Sequence, residues 1–291
     1  MVFNFGKDKI SSFKAIRQDL REKGISGPHK FFDSDSIVPI QKKIYSSLKE
    51  YIIDDSINQP LSKKLSLPLK NNIPSNFIFD LKGDMQDMVL AFARSPMIKE
   101  IFIDLFGHDQ ISCCKNFQDF RGNFPEFTLR ATGWHQDAAA SFADGWEEWR
   151  HPFYIMWVSL NGAEPTNSLE IINGSHKPKR LYSQHYSLSK RVISDVSKDL
   201  AKLPTTKISC QAGEVFFFDS LVFHRSILNK DNFARFSLDV RYYDPTSLIQ
   251  YSSIDKGLYW IMVKSALKNN SIYKSFSSFN PLRRILGFPP R

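Results

Sequence analysis

The second half of the chain alternates short apolar and aromatic runs with turn-forming residues, and this pattern limits the fold more than any other feature. Five such runs cover residues 111–120, 153–160, 169–172, 215–218 and 233–243. Gly, Pro and Asn residues lie between them, which is typical of short antiparallel strands joined by turns. The pattern therefore predicts an antiparallel β-sandwich or barrel in this half of the chain.

The first third of the chain predicts helices. After an N-cap cluster at residues 34–36, apolar residues recur at steps of three and four and form one helix face: Ile37, Ile40, Ile44, Leu48 and Ile52. Residues 54–78 are interrupted by three prolines and are predicted to be a loop. Further helices are expected near residues 85–93 and from Ser95-Pro96 to Gly107, which is a natural C-cap.

Composition places the chain among globular proteins. It is 42% hydrophobic and 14% aromatic, which excludes a disordered chain. No apolar stretch approaches the ~18 residues of a membrane span, and the opening MVFNFGKDK contains no signal-peptide core. Three Cys, two of them adjacent, do not form a disulfide framework. These features predict a cytoplasmic protein without a membrane partner.

The net charge of +9 raises the question of a nucleic-acid partner. The Lys and Arg residues are scattered, and no helix carries a continuous basic face with interleaved aromatic residues. The chain also contains no zinc-finger or RNA-recognition signature. We therefore predict no nucleic-acid partner, and assign the excess charge to attraction of an anionic substrate or cosubstrate.

The most informative motif is Trp134-His135-Gln136-Asp137. On a strand, two side chains two residues apart lie on the same face, so His135 and Asp137 would be neighbours. An imidazole and a carboxylate side by side make up two thirds of the two-His-one-carboxylate triad that binds iron(II). The alternative is a hydrogen-bonded His–Asp pair at the end of a strand.

Two later residues bear on this choice. His224 follows a glycine turn and a strongly apolar strand, but a single His at the end of an apolar run more often belongs to the core. Arg235 lies eleven residues further, flanked by apolar residues on a predicted strand. A buried cation is costly unless an anion neutralises it. That anion could be a dicarboxylate cosubstrate or an acid of the chain itself, such as Asp239.

Taken together, these spaced motifs resemble the phytanoyl-CoA dioxygenase family of Fe(II)/2-oxoglutarate-dependent oxygenases. The resemblance covers about residues 95–243 and rests on an ordered set: Trp134-His135-Gln136-Asp137, Trp157, Gly174-Ser175-His176, Gly213, His224, Asn229 and Arg235. It implies a mainly β fold with a helical N-terminal layer, built on a double-stranded β-helix (a cupin-like jelly roll). The implied cofactors are Fe(II), 2-oxoglutarate as cosubstrate, and O2.

The resemblance also implies roles for individual residues. His135, Asp137 and His224 would be the catalytic iron ligands, and Arg235 would hold the distal carboxylate of 2-oxoglutarate with help from Ser237. Asn116 and Gln118 share one face of the preceding strand and are further candidates for contact with 2-oxoglutarate. Because strand-end ligands add little to a core, we expect their replacement by Ala to leave the fold intact.

We expect a single oxygenase domain over residues 1–291. A helical layer would occupy about residues 1–108, the jelly-roll core about 109–245, and a C-terminal extension 246–291. No pattern that we can match covers the first 90 or the last 45 residues.

The implied activity is hydroxylation of an unactivated C–H bond in a small molecule, with release of succinate and CO2. Halogenating relatives carry a small residue in place of the carboxylate, so Asp137 favours hydroxylation, or another oxidation such as desaturation or ring formation, over halogenation. The segment after the motif supplies candidate substrate contacts, namely Phe142, Trp146, Trp149 and Arg150. Residues 187–203 are predicted to form an amphipathic helix that could serve as a lid. The alternatives are a protein or peptide hydroxylase of the same chemistry, and a non-catalytic jelly-roll binding protein.

Overall fold

A computed structural model describes residues 13–32, 34–55, 58–70, 73–113, 118–125, 132–140, 153–179, 182, 184–186, 191–193 and 198–247. The helices are α1 (Phe13–Lys23), α2 (Ser34–Leu48), α3 (Leu61–Lys64), α4 (Ser75–Ala93), α5 (Pro96–Phe106) and α6 (Asp137–Ala140), with 3-10 turns at Lys49–Tyr51 and Leu200–Lys202. The strands are β1 (Ile25–Lys30), β2 (Asp119–Asn123), β3 (Phe153–Ser159), β4 (Leu169–Ile172), β5 (Gln184–Tyr186), β6 (Arg191–Ile193), β7 (Thr205–Lys207), β8 (Glu214–Asp219), β9 (His224–Ser226) and β10 (Arg235–Tyr243).

Two antiparallel sheets form a jelly-roll sandwich, as predicted. Within the described ranges, the larger sheet has the strand order β1-β8-β3-β10-β2 and the smaller one the order β7-β4-β9. Side chains from both sheets, such as Trp157 on β3 and Ile171 on β4, belong to one apolar cluster. The two sheets therefore pack face to face, and the strands β5 and β6 form a separate hairpin.

Strand β10 shows how the sequence separates the two faces of the larger sheet. Its even-numbered side chains are apolar and share a core with helices α1, α2, α4 and α5: Phe236, Leu238, Val240 and Tyr242. Alternate side chains of a strand point to opposite faces. The odd-numbered side chains are polar and lie on the opposite face of the sheet, toward the smaller sheet: Arg235, Ser237, Asp239 and Arg241.

The predicted apolar face of α2 is confirmed. Four of its five predicted residues lie in α2 and are buried, with Ile40 and Ile44 0% exposed. The fifth, Ile52, is also buried but lies beyond the end of the helix, where it forms an isolated bridge with Leu69. The helix begins at Ser34, so residues 34–36 form its first turn instead of preceding it as an N-cap. Helix α5 also agrees with its signals, since Ser95 is its N-cap, Pro96 its first residue, and Gly107 (φ 81°) its left-handed C-cap.

The face of α2 gives a test of the packing. We expect Ile40→Ala to lower the free energy of unfolding by about 2–5 kcal/mol, because it leaves a cavity in the shared core. Lys42→Ala on the exposed side of the same helix is the control, and should change it by less than about 0.5 kcal/mol. Urea denaturation followed by circular dichroism measures both. Equal midpoints for the two variants would contradict this packing.

Three sequence predictions were wrong in position or type. Residues 54–78 contain α3 and the start of α4, because Pro60 and Pro74 are the N-caps of these helices instead of interrupting a loop. In the described part of the range predicted as a strand over residues 111–120, Ser112 forms only an isolated bridge with Tyr243, and strand β2 covers Asp119 and Phe120; residues 114–117 lie outside the described residues. Within residues 187–203, predicted as a helix, residues 191–193 form a strand in a hairpin with β5. The β-branched pair Val192-Ile193 favours that pairing over a helix.

No helix in the described part of the chain is long and apolar enough to cross a membrane.

Candidate metal centre

The two predicted histidine ligands are brought together by the backbone. His135 and His224 form an isolated antiparallel bridge in which each backbone N–H donates to the other residue's carbonyl at 3.0 Å. His224 is the first residue of β9, in the smaller sheet. Directly paired residues of antiparallel strands carry neighbouring side chains, and the two imidazole rings are 4.1 Å apart, centroid to centroid.

Asp137 reaches the same place by a different route from the one predicted. His135 makes a single-residue bridge and Asp137 begins the short helix α6, so the two residues are not on one continuous strand. Backbone and side-chain contacts hold this segment against the turn after β8. The Ala138 N–H donates to Ser220 O at 2.9 Å, and the buried Gln136 amide donates to Leu221 O at 2.8 Å.

Hydrogen bonds fix which ring nitrogen of each histidine faces the centre. Nδ1 of His135 lies 2.9 Å from Gly133 O, and Nδ1 of His224 lies 3.2 Å from Val222 O. A carbonyl oxygen only accepts, so each Nδ1 is the donor, and each Nε2 is the ring nitrogen that faces Asp137. The two Nε2 atoms lie 3.4 and 3.6 Å from Asp137 Oδ1.

The electrostatic environment favours the protonation states that metal ligands need. Burial lowers the pKa of His224 to about 4, and the proximity of His135 adds to this effect. Burial alone would raise the pKa of Asp137, but Arg241 and the two imidazoles outweigh it and hold that pKa well below its usual value. The site therefore presents a neutral imidazole at His224 and an ionised carboxylate at neutral pH.

This donor set fits ferrous iron. One ligand atom from each of His135, Asp137 and His224 lies within 4.8 Å of the other two. Two imidazoles and one carboxylate on one side of an ion, with the remaining positions open, is the arrangement of non-haem iron(II) oxygenases.

Arg235 is buried between the sheets without a carboxylate partner. It is 2% exposed, Nη1 donates to Ser237 Oγ at 2.7 Å, and the guanidinium lies 5.4 Å from the ring centroid of Trp157. Among the described residues no carboxylate oxygen lies within 4.0 Å of it, and Nη2 has no hydrogen-bond acceptor. Burial lowers the pKa of Arg235 to about 10. The internal salt bridge to Asp239, one of the two alternatives, is therefore not formed.

The other predicted residues divide into three groups. Ser237 Oγ accepts a hydrogen bond from Arg235 Nη1 at 2.7 Å, so the two residues lie side by side. Gln118 is engaged elsewhere, because its amide donates to Arg241 O and accepts from Arg241 N, both at 2.9 Å, so it holds the sheet edge. The remaining candidates lie outside the described residues: Asn116, Phe142, Trp146, Trp149 and Arg150.

His176 and Asn229 have structural roles. Nε2 of the buried His176 lies 3.1 Å from Arg21 O, a contact that joins the turn after β4 to α1. The Asn229 amide donates to Asn123 O and Phe233 O at 2.7 and 2.8 Å and so fixes the turn before β10.

Sequence reasoning missed a charged network behind the ligands. Asp239 Oδ2 accepts from Arg241 and Arg121 at 3.0 Å each, and Arg241 also donates to Asp137. The signal was the spacing of Arg235, Ser237, Asp239 and Arg241 at every second residue of one strand. The network also corrects one expectation. Asp137 neutralises a buried guanidinium, so its replacement by Ala would destabilise the fold, because a buried charge would lose a partner.

Solved structures of similar fold support the jelly-roll assignment. EctD from S. alaskensis with 2-oxoglutarate and 5-hydroxyectoine is 19% identical (TM-score 0.56), and the alignment covers 87% of this chain and 84% of that one. EvdO2 from Micromonospora carbonacea var. aurantiaca, complexed with 2-oxoglutarate, is 13% identical (TM-score 0.55; 86% and 96% covered). The epimerase SnoN, in complex with Fe3+, α-ketoglutarate and nogalamycin RO, is 14% identical (TM-score 0.54; 81% and 85% covered). At these identities the likeness shows the fold alone.

Comparison with curated protein sequences gave no match. The sequence profile of the family described as Phytanoyl-CoA dioxygenase (PhyH) matches residues 14–237, which is more than half of the chain and includes the three candidate ligands and Arg235. The chain therefore belongs to the phytanoyl-CoA dioxygenase (PhyH) family of Fe(II)/2-oxoglutarate-dependent oxygenases.

Proposed function

We propose that this oxygenase hydroxylates an unactivated C–H bond of a small molecule, and that His135, Asp137 and His224 hold its iron(II). The observation that carries the proposal is the pairing of this triad with Arg235, a buried cation without a carboxylate partner among the described residues. Arg235 is on the same strand as Arg241, which contacts Asp137, and such a buried cation fits a cosubstrate that has one carboxylate for the metal and a second one for the guanidinium.

The residues around Arg235 orient its guanidinium to bind that second carboxylate. Ser237 and the Asn167 carbonyl occupy Nη1 and Nε, which leaves Nη2 for the distal carboxylate of 2-oxoglutarate. Trp157 lies over the guanidinium and restricts its motion and its access to water. Because the cation is already desolvated, binding the anion removes an existing electrostatic cost as well as adding hydrogen bonds.

With iron(II) and 2-oxoglutarate bound, the centre supplies O2-dependent oxidation of a C–H bond. In the balanced reaction, substrate C–H, O2 and 2-oxoglutarate give C–OH, succinate and CO2. The chain's own part is to present two Nε2 atoms and one carboxylate oxygen and to hold the cosubstrate by its far end. The retained carboxylate of Asp137 supports hydroxylation over halogenation.

A small-molecule substrate is supported by the structural neighbours. EctD was solved with 5-hydroxyectoine and SnoN with nogalamycin RO, both of them small organic compounds. SnoN is described as an epimerase, so the outcome at the carbon centre needs its own measurement.

The test is a screen on protein loaded anaerobically with Fe(II) and 2-oxoglutarate. Candidate small molecules are added with 18O2, and succinate and the mass of each candidate are measured. We expect one structural class to accelerate succinate formation and to gain one 18O atom. Acceleration without 18O in the product would contradict hydroxylation, and acceleration by peptides alone would contradict the small-molecule assignment. The absence of any iron-dependent succinate formation would contradict the proposed site.

A further inference from the structure

Arg241 lies behind the candidate metal centre, near the end of β10. It is 7% exposed, and its side chain is on the same face of the strand as Arg235, the proposed cosubstrate ligand. The family profile ends at residue 237, so Arg241 lies beyond the part of the chain that the family match covers. Its function must therefore be inferred from its contacts.

The two carboxylate oxygens of Asp137 have different partners. Oδ2 accepts two hydrogen bonds from the Arg241 guanidinium, from Nε at 3.0 Å and from Nη2 at 2.7 Å. Oδ1 lies on the histidine side, 3.4 and 3.6 Å from the two Nε2 atoms. A carboxylate held in this way has one oxygen turned away from the centre and the other turned toward it.

The guanidinium is itself held in place. Nη2 also donates to Asp239 Oδ2 at 3.0 Å, and Asp239 accepts from Arg121 as well. The backbone of Arg241 pairs with Ile155 on β3, and on its other side both its N–H and its C=O bond the Gln118 side chain. The larger sheet therefore sets the position of the Arg241 guanidinium, independently of the segment that carries Asp137.

We propose that Arg241 is a positioning residue that orients Asp137 to bind iron through Oδ1 alone. This inference rests on the proposed function. The planar guanidinium occupies Oδ2 with two donors, so the carboxylate cannot rotate to present both oxygens to the metal. Residues that orient metal ligands from behind typically change metal affinity about 10–100-fold when they are replaced.

Arg241→Lys tests this role because it keeps the positive charge and removes the two-donor fork. We expect it to fold and to bind Co(II) alone about 10–100-fold more weakly than the wild type. We also expect altered Co(II) absorption bands, since these report the number and arrangement of ligands. If Arg241 only neutralises a buried charge, Lys would do so equally well. Wild-type Co(II) affinity and spectrum in Arg241→Lys would therefore overturn the proposal.

Arg121→Lys is the matched control in the same network. Arg121 shares Asp239 with Arg241 but makes no hydrogen bond to Asp137, and its side chain is 40% exposed. We expect its Co(II) affinity to stay within about threefold of the wild type. An equal loss in both variants would mean that the network acts only through the fold, which contradicts a specific role for Arg241. Absence of Co(II) binding by the wild type would contradict the proposed function itself, and this inference with it.

A second experiment tests the same role of Arg241 by changing Asp137, the residue that it holds. In Asp137→Gly, Arg241 faces an open position, and we expect added formate to take the place of the carboxylate and restore Co(II) affinity. In the double variant Asp137→Gly/Arg241→Lys, formate should be at least about tenfold less effective, because the two-donor fork is gone. Both variants are first shown by circular dichroism to be folded in the presence of formate, which returns an anion to the buried guanidinium. Equal restoration in the two folded variants, or none in either, would overturn the proposal.

Discussion

Loss of iron binding, and with it of succinate formation, is the expected result of replacing His224 by Ala. The substitution removes one of three protein ligands, so its effect should exceed the ~10–100-fold loss typical of residues behind the ligands. Anaerobic titration with Fe(II) measures the affinity, and succinate production in the presence of O2 measures turnover. Full turnover in His224→Ala would show that the ligand assignment is wrong.

The structure explains why this variant should remain folded. The bridge between β9 and residue 135 is made by backbone atoms, and both of its hydrogen bonds survive truncation of the side chain. His176→Ala is a matched control, since it removes a buried histidine that bonds a backbone carbonyl away from the centre. It should keep full iron stoichiometry. Thermal melting followed by circular dichroism separates loss of metal from loss of fold in both variants.

The parts of the fold that could be predicted from the sequence are those with local signals. Helix α5 begins and ends where Ser95, Pro96 and Gly107 indicate, because capping and left-handed backbone preferences act within a few residues. Strand β4 has the predicted bounds, residues 169–172, since it is a short apolar run between turns. Residues 191–193, within the predicted helix over residues 187–203, were misassigned because four-residue spacing of apolar side chains does not by itself exclude a strand that pairs with a neighbour.

The centre shows the same division between local and long-range information. The motif predicted His135 and Asp137 as two members of the triad that the structure brings together, although the strand geometry assumed for them was wrong. The contact between Arg241 and Asp137 joins residues 104 positions apart, and it depends on how β10 is placed against α6. No local spacing encodes that placement. The one available clue was a buried strand with charges at alternate positions.

A large loss of 2-oxoglutarate affinity is the expected result of Arg235→Met. Met keeps an unbranched stem of similar length beside Trp157 and removes the guanidinium that we assign to the distal carboxylate of 2-oxoglutarate. Truncating one partner of a buried, hydrogen-bonded charge pair costs about 2–5 kcal/mol. That range corresponds to a roughly 30- to 4000-fold higher 2-oxoglutarate requirement. Anaerobic titration of the iron-loaded protein with 2-oxoglutarate measures it directly.

Comparing iron affinity with the 2-oxoglutarate requirement shows whether Arg235 acts on the cosubstrate or on the metal. Its hydrogen bonds go to Ser237 and to the Asn167 carbonyl and not to a ligand, so Fe(II) binding without cosubstrate should be nearly unchanged in Arg235→Met. The control is Arg225→Met, because Arg225 also lies over an indole, that of Trp134 at 4.6 Å, but is paired with Glu170. Its 2-oxoglutarate requirement should equal that of the wild type. An unaltered requirement in Arg235→Met would instead place the distal carboxylate elsewhere, and Arg235 would then be a buried cation without an assigned anion.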